Sequence, residues 1–154
     1  MIKIKKRKSI KKVSKPWGYE VWYSGPHTKE PYVLKKIKIK SRFSSSIQFH
    51  ESKIETITVT EGKGNLIYAA KKINIAKFKN GKYSEDEISQ FIKNLKKTKL
   101  SIGDTFTIYP GFVHSVESID NIVFYEASTT QVDDVYRIRD KFGRNHGKIL
   151  SEHK

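Results

Sequence analysis

Apolar and polar residues alternate at period two in one short run after another, and this restricts the fold more than any other feature. Residues 32–40, YVLKKIKIK, put Ile37 and Ile39 on one face and Lys36, Lys38 and Lys40 on the other. Residues 54–62, IETITVTEG, set Glu55, Ile57 and Val59 against Thr56, Thr58 and Thr60. Successive side chains of a strand point to opposite faces, so each run reads as a strand with one wet side. Two further β-branched and aromatic runs, DTFTIYPG (104–111) and NIVFYEAS (121–128), are bounded by turn signals. Many short strands at such spacing predict a sandwich or barrel.

One stretch has helical spacing. In SEDEISQFIKNLKKTK (84–99), Ser84 is followed three residues later by Glu87, a capping box. Acids lead and lysines trail, as the helix dipole favours, and Ile88, Phe91, Ile92 and Leu95 make one apolar stripe. Just before it, Asn80-Gly81 is a hairpin-turn signal. The expectation is a hairpin and short α-helix around 78–99, inserted at 65–100 into a β domain. That domain runs from 15 to 145, with a basic arm or added edge strand at 1–14 and a tail at 146–154. Within VYRIRDKFGRNHGKILSEHK, which starts at Val135, a short helix and then a fraying end are expected.

Composition narrows the class. With 154 residues, 36% of them hydrophobic, one domain with a real core is expected. The absence of cysteine removes disulfides and thiolate metal sites. No run is long and apolar enough to span a membrane, and the basic N-terminus lacks the apolar block of a signal peptide, so a soluble cytoplasmic protein is expected. The net charge of +15 raises the question of a polyanionic partner. However, 26 of the 31 basic residues are lysine, without the planar fork that arginine offers to phosphates and bases. Nucleic acid is therefore not the expected partner.

Polar residues on a core face are where chemistry is sought. Gln48 and His50 share a face of one strand, and Glu55 re-enters on the face of Ile57 and Val59. A buried carboxylate needs a partner, and a divalent cation with imidazole and amide-oxygen companions would be one. His114, after the Pro110-Gly111 turn, is a fourth candidate ligand. Glu126 points inward if Ile122 and Phe124 do, and is a candidate general base. Trp17 and Trp22 are expected to be core or interface anchors.

The spacing resembles that of the cupins. Their first motif, H-x-H-x(3,4)-E-x(6)-G, matches Gln48, His50, Glu55 and Gly62, with Gln for the first His. Their second, G-x(5)-P-x-G-x(2)-H-x(3)-N, matches Gly103, Tyr109, Gly111, His114 and Ser118, with Tyr for Pro and Ser for Asn. The resemblance implies an all-β double-stranded β-helix, that is, a jelly-roll barrel. Three segments further resemble the cupin domain of type II mannose-6-phosphate isomerases. They are KPWGYEVW, SIQFHESKIETITVTEG and STTQVDDVYRIRDKFGR, the last containing Asp134, Arg137, Asp140, Phe142, Gly143 and Arg144. In that family Gln occupies the first ligand position and an arginine stands where this chain has Lys53.

This second resemblance implies aldose–ketose isomerisation of a sugar phosphate, in nucleotide-sugar or polysaccharide precursor metabolism, by a homodimer. It implies one divalent metal ion, zinc first and iron, manganese or nickel as alternatives, on Gln48, His50, Glu55 and His114. Lys53 becomes a candidate stabiliser or proton shuttle, and Arg137, Lys141 and Arg144 candidate phosphate contacts. The two arginines could instead simply pair with Asp134 and Asp140. Two other functions stay open: a non-haem iron dioxygenase on the 2-His-1-carboxylate set, and a non-catalytic sugar-binding cupin.

Overall fold

A computed structural model describes residues 1–144 and 146–149. Among the described residues ten strands form in chain order: β1 (Lys11–Lys15), β2 (Gly18–Ser24), β3 (Val33–Ile39), β4 (Ile47–His50), β5 (Glu55–Tyr68), β6 (Lys96–Leu100), β7 (Thr105–Ile108), β8 (His114–Ser128), β9 (Val135–Arg139) and β10 (Gly147–Lys148). Two helices, α1 (Ile75–Lys79) and α2 (Glu85–Lys93), lie between β5 and β6.

The two longest strands explain the architecture. The second half of β8 pairs with β3 and with the first half of β5, while its first half pairs with β4 and with the second half of β5. Each half therefore belongs to a different antiparallel layer. One layer runs β1-β2-β3-β8-β5-β7 and the other β10-β9-β4-β8-β5-β6. β5 and β8 pass between the layers through register shifts at Val59–Gly64, where β8 turns at Asn121. Gly62 sits at this crossing with φ 71°, and a Cβ there would lie 2.1 Å from the Asp120 carbonyl oxygen. Only glycine permits that approach. Gly18 follows the same logic at the start of β2, where a Cβ would come within 1.9 Å of the Lys38 carbonyl oxygen.

Between the layers lies an apolar core that includes Trp17, Ile37, Ile39, Ile57, Val59, Ile122 and Phe124, the inward residues of the period-two runs. Trp22 is buried as well, at 2% exposure. β1 is a lysine-rich edge strand, and such edges resist pairing with other chains. Among the described residues no helix is long and apolar enough to cross a membrane.

The insertion differs in detail from expectation. Asn80-Gly81 does not join two strands. It ends α1, with Gly81 at φ 63° and the Lys82 amide donating to the Lys77 carbonyl. Glycine's left-handed conformation serves a helix C-terminus as well as a hairpin, and dipeptide identity alone does not separate them. The two arms of the inserted strand pair are 64–68 of β5 and β6. The capping box at Ser84 and Glu87 forms as read, but α2 stops at Lys93, because 96–100 joins β5 rather than continuing the helix.

Ile88 of α2 packs with Phe49, Val113, Tyr136 and Ile138 on the outer side of the second layer. The helices thus cover the back of β4, the strand that presents Gln48 and His50 inward. Phe49, 0% exposed, stacks on Tyr136 and meets Phe78 edge-on. Phe49→Ala should cost about 3–5 kcal/mol of stability, the range for a buried aromatic, measured by urea unfolding.

The segment from Val135 onward is also corrected. Among its described residues it forms no helix: β9 pairs with β4 and β10 pairs with β9, with Val135, Tyr136, Arg137 and Ile138 all buried. Burial on both faces removed the alternation that marks a strand in sequence. Of the tail expected at 146–154, residues 150–154 lie outside the described residues.

Candidate metal centre and charged cavity

Three elements bring the ligand candidates together. β4 carries Gln48 and His50 inward, β5 begins with Glu55, and β8 begins with His114. Gln48 and His114 are direct cross-strand neighbours. The loops are tied to each other: the Gly111 amide donates to the His50 carbonyl at 2.8 Å, so the Pro110-Gly111 turn is set against the first motif. Ser118, standing where the cupin pattern has Asn, accepts from the Ile122 amide at 3.1 Å and closes the turn that bends β8.

His50, Glu55 and His114 are each buried, and one ligand atom from each lies within 4.8 Å of the others. His114 Nε2 is 3.3 Å from Glu55 Oε1, and His50 Nε2 is 3.6 Å from Glu55 Oε2. Each imidazole Nδ1 faces a backbone carbonyl, that of Asp134 for His50 at 3.1 Å and that of Phe112 for His114 at 3.0 Å. A carbonyl only accepts, so Nδ1 carries the proton in both rings and the Nε2 lone pairs converge on Glu55. This is how histidine ligands are oriented in metal sites. His50 Nε2 is moreover a buried nitrogen with no hydrogen-bond partner. Burial pushes the His50 pKa down, with Glu55 opposing, which favours the neutral, ligating form. The donor set therefore fits a divalent cation. Gln48 lines the same cavity; its amide oxygen accepts from Ser46 at 2.7 Å and keeps a second lone pair.

Around this cluster runs a row of buried charges. Lys53, 3% exposed, donates to Glu55 and to Glu126 Oε1, the latter at 2.7 Å. Burial works against its charge, but attraction to Glu126 and Glu55 outweighs that and holds its pKa above the ordinary lysine value. For Glu55, burial is outweighed by the Lys53 ammonium, and its pKa lies well below the usual carboxylate range. Lys35, the cross-strand partner of Glu126, lies 3.4 Å from Glu126 and 3.7 Å from Glu20, and 4.4 Å over the Trp22 ring. Glu20 in turn accepts from Trp22 Nε1 at 2.9 Å.

Sequence reading placed Glu126 and Lys53 here but passed over Glu20 and Lys35. The signal was present, because the phase set by Ile37 and Ile39 already turns Lys35 inward. Asp134 was also undervalued. Its carboxylate accepts from the Glu51, Ser52 and Lys53 amides at 2.9, 2.5 and 2.8 Å, clamping the loop that carries Lys53.

None of the three proposed phosphate contacts is among the residues that line the cavity, though they differ in burial. Arg137, 3% exposed, is cross-strand to Gln48 and shares the inward face of β9 with cavity-lining Val135. Lys141 and Arg144 do not line the cavity. Arg144 forks onto Asp140 at 2.7 and 3.1 Å, and Lys141 faces Glu117 at 3.9 Å from an exposed position. The cavity measures about 60 Å³, walled by Trp17, Ile37, Ile57 and Phe124 on its apolar side. By the volume a water requires, it takes an ion and a few waters.

No protein-family model and no curated protein matches the chain. Solved structures do. The capsular polysaccharide assembling protein CapF from Staphylococcus aureus superposes with a TM-score of 0.62 at 15% identity, over 85% of this chain and 33% of that one. L-ribose isomerase from Cellulomonas parahominis gives 0.60 at 12% identity, over 84% and 74%. The polyketide cyclase RemF from Streptomyces resistomycificus gives 0.60 at 17% identity, over 99% and 89%. The chain spans about a third of the length of the CapF chains it matches. Similarity at such identities speaks to architecture. The two layers sharing β5 and β8, with the ligand candidates at one end of their interior, make an all-β jelly-roll barrel, the architecture shared with these structures.

Proposed function

We propose that this chain is a metal-dependent sugar-phosphate isomerase, interconverting an aldose and a ketose in the manner of type II mannose-6-phosphate isomerases. Its setting would be nucleotide-sugar or polysaccharide precursor metabolism. The observation that carries the proposal is the convergence of His50, Glu55 and His114, with Glu126 alongside. A fold shared with an L-ribose isomerase supports a sugar as the substrate class.

In this reading His50, Glu55, His114 and Gln48 hold one divalent ion, zinc first, with iron, manganese and nickel also suited to the set. When bound, such an ion supplies Lewis-acid polarisation of the substrate's carbonyl and hydroxyl oxygens. The proton work falls to Glu126. Both lysines contact its Oε1, and the carboxylate would take the C2 proton and return it to C1 while the O2 hydroxyl proton passes to O1. Lys53 stands beside this carboxylate as a fixed positive charge, favouring the negative charge that develops on the substrate oxygens. Arg137 is the phosphate contact nearest the ligand strand, and Lys141 and Arg144 would act only outside the cavity. The proposal includes a homodimer, checked by light scattering.

The test is proton–deuterium exchange at C2 on a panel of hexose and pentose phosphates with zinc-loaded protein. Exchange is expected, falling at least about 100-fold in Glu126→Gln, the usual scale for a general base. The pairing of Glu126 with Lys53 and Lys35 favours one second reading, a non-catalytic sugar-binding cupin. It predicts metal-loaded protein that binds a sugar and exchanges no C2 proton.

A further inference from the structure

We propose that Lys53 is an internal rival of the metal: its ammonium holds the Glu55 carboxylate in the metal-free protein and lowers the affinity of the triad for a divalent cation. This rests on reading His50, Glu55 and His114 as the metal site.

The argument starts from spacing. Lys53 is two residues before Glu55, and both side chains turn into the cavity. The Lys53 ammonium contacts Glu55 Oε2, the same oxygen that lies 3.6 Å from His50 Nε2. An ion among the three ligands and the ammonium would therefore share one carboxylate. Nor can the lysine readily withdraw. Its own amide and the two before it are bound to Asp134, its side chain is 4% exposed, and Glu126 holds it from the far side at 2.7 Å. A unit charge fixed a few ångströms from a divalent ion repels it strongly in a buried site.

The surrounding charges set where the effect falls. The row contains three carboxylates, Glu20, Glu55 and Glu126, and two ammoniums, Lys35 and Lys53. With Lys53 neutralised, Glu126 keeps Lys35 at 3.4 Å, whereas Glu55 loses the ammonium that the described residues place against it. The sign separates this from a purely orienting role. If Lys53 merely aimed Glu55, its removal would loosen the carboxylate and weaken binding, as loss of an outer hydrogen bond does.

The full chain is stripped of metal with a chelator and titrated with Zn²⁺ against a chromophoric competitor, alongside Lys53→Met and Lys53→Arg. Lys53→Met is expected to bind at least about tenfold more tightly than wild type, since the repulsion removed is that of a full charge. Lys53→Arg, which keeps the charge, is expected to stay near wild type. A larger Zn²⁺-induced rise in melting temperature in Lys53→Met gives a second reading of the same coupling. Should Lys53→Met be unfolded without metal, recovery of the fold on adding Zn²⁺ supports the proposal, and Lys53→Gln, neutral but still able to donate, repeats the affinity test. Equal or weaker binding by the neutral variants overturns the inference and leaves the metal site standing. Absence of Zn²⁺ binding in wild type and variants alike overturns the metal site itself, and the inference with it.

Discussion

Glu55→Gln is expected to lose metal loading, with Zn²⁺ affinity falling at least about 100-fold, and to be less stable even without metal. Glu55 is the single carboxylate of the ligand triad and touches both imidazoles, so no neighbour replaces it. In the metal-free protein it also neutralises Lys53, which is buried and held above its ordinary pKa. Removing one partner of a buried pair costs about 3–5 kcal/mol, because the remaining charge stays desolvated. Elemental analysis after dialysis checks the first effect, and urea unfolding in the presence of a chelator checks the second.

The same variant carries a pH signature. The folded-state pKa of Glu55 is depressed, so its contribution is complete above the unfolded carboxylate value, about 4.3, and fades as pH falls through the folded value. The wild-type stability curve should therefore bend downward below about pH 4, and part of that bend should be missing from Glu55→Gln. Equal acid limbs in the two proteins would contradict the placement of Glu55 in the charged row.

Asp134→Ala is the second large effect, although Asp134 touches neither ion nor substrate in the proposed reaction. Its carboxylate is the common acceptor for the Glu51, Ser52 and Lys53 amides, and its carbonyl orients His50. Hydrogen bonds to an ionised acceptor are worth about 1.5–3 kcal/mol each and do not sum independently. Asp134 is half-buried, and a loss of about 2–4 kcal/mol is expected for the cluster. Zn²⁺ affinity should fall about 10- to 100-fold, the scale for outer-sphere positioning groups. Asp134→Asn keeps one amide oxygen as acceptor and should lie between the two. An Asp134→Ala protein with wild-type stability and wild-type Zn²⁺ binding would rule out the clamp.

What could be read in advance followed from local rules. Period two placed Ile37, Ile39, Glu55, Ile57, Val59, Ile122, Phe124 and Glu126 on the inward face, where all are buried. Capping chemistry placed the start of α2 at Ser84 and Glu87. Motif spacing paired His50 and Glu55 with His114, although 64 residues separate His50 from His114. The misreadings have a common cause. Val135–Ile138 is covered on both faces, so its strand has no alternation to detect. Asn80-Gly81 suits a hairpin or a helix end, and the neighbouring chain decides between them. Lys96–Leu100 continued a helical pattern until β5 offered a strand to pair with.

By itself, then, the sequence determined a β domain, the faces of its strands and the chemical types available at one end of its interior. Those follow from side-chain direction and residue identity, which are local. The tertiary structure alone decided which charges meet: that Lys53 spans Glu55 and Glu126, that Lys35 and Glu20 extend the row, and that Asp134 clamps the loop from 81 residues away. Partnership between buried charges depends on the register and crossing of distant strands, and that register is settled by packing of the whole barrel rather than by any segment of it.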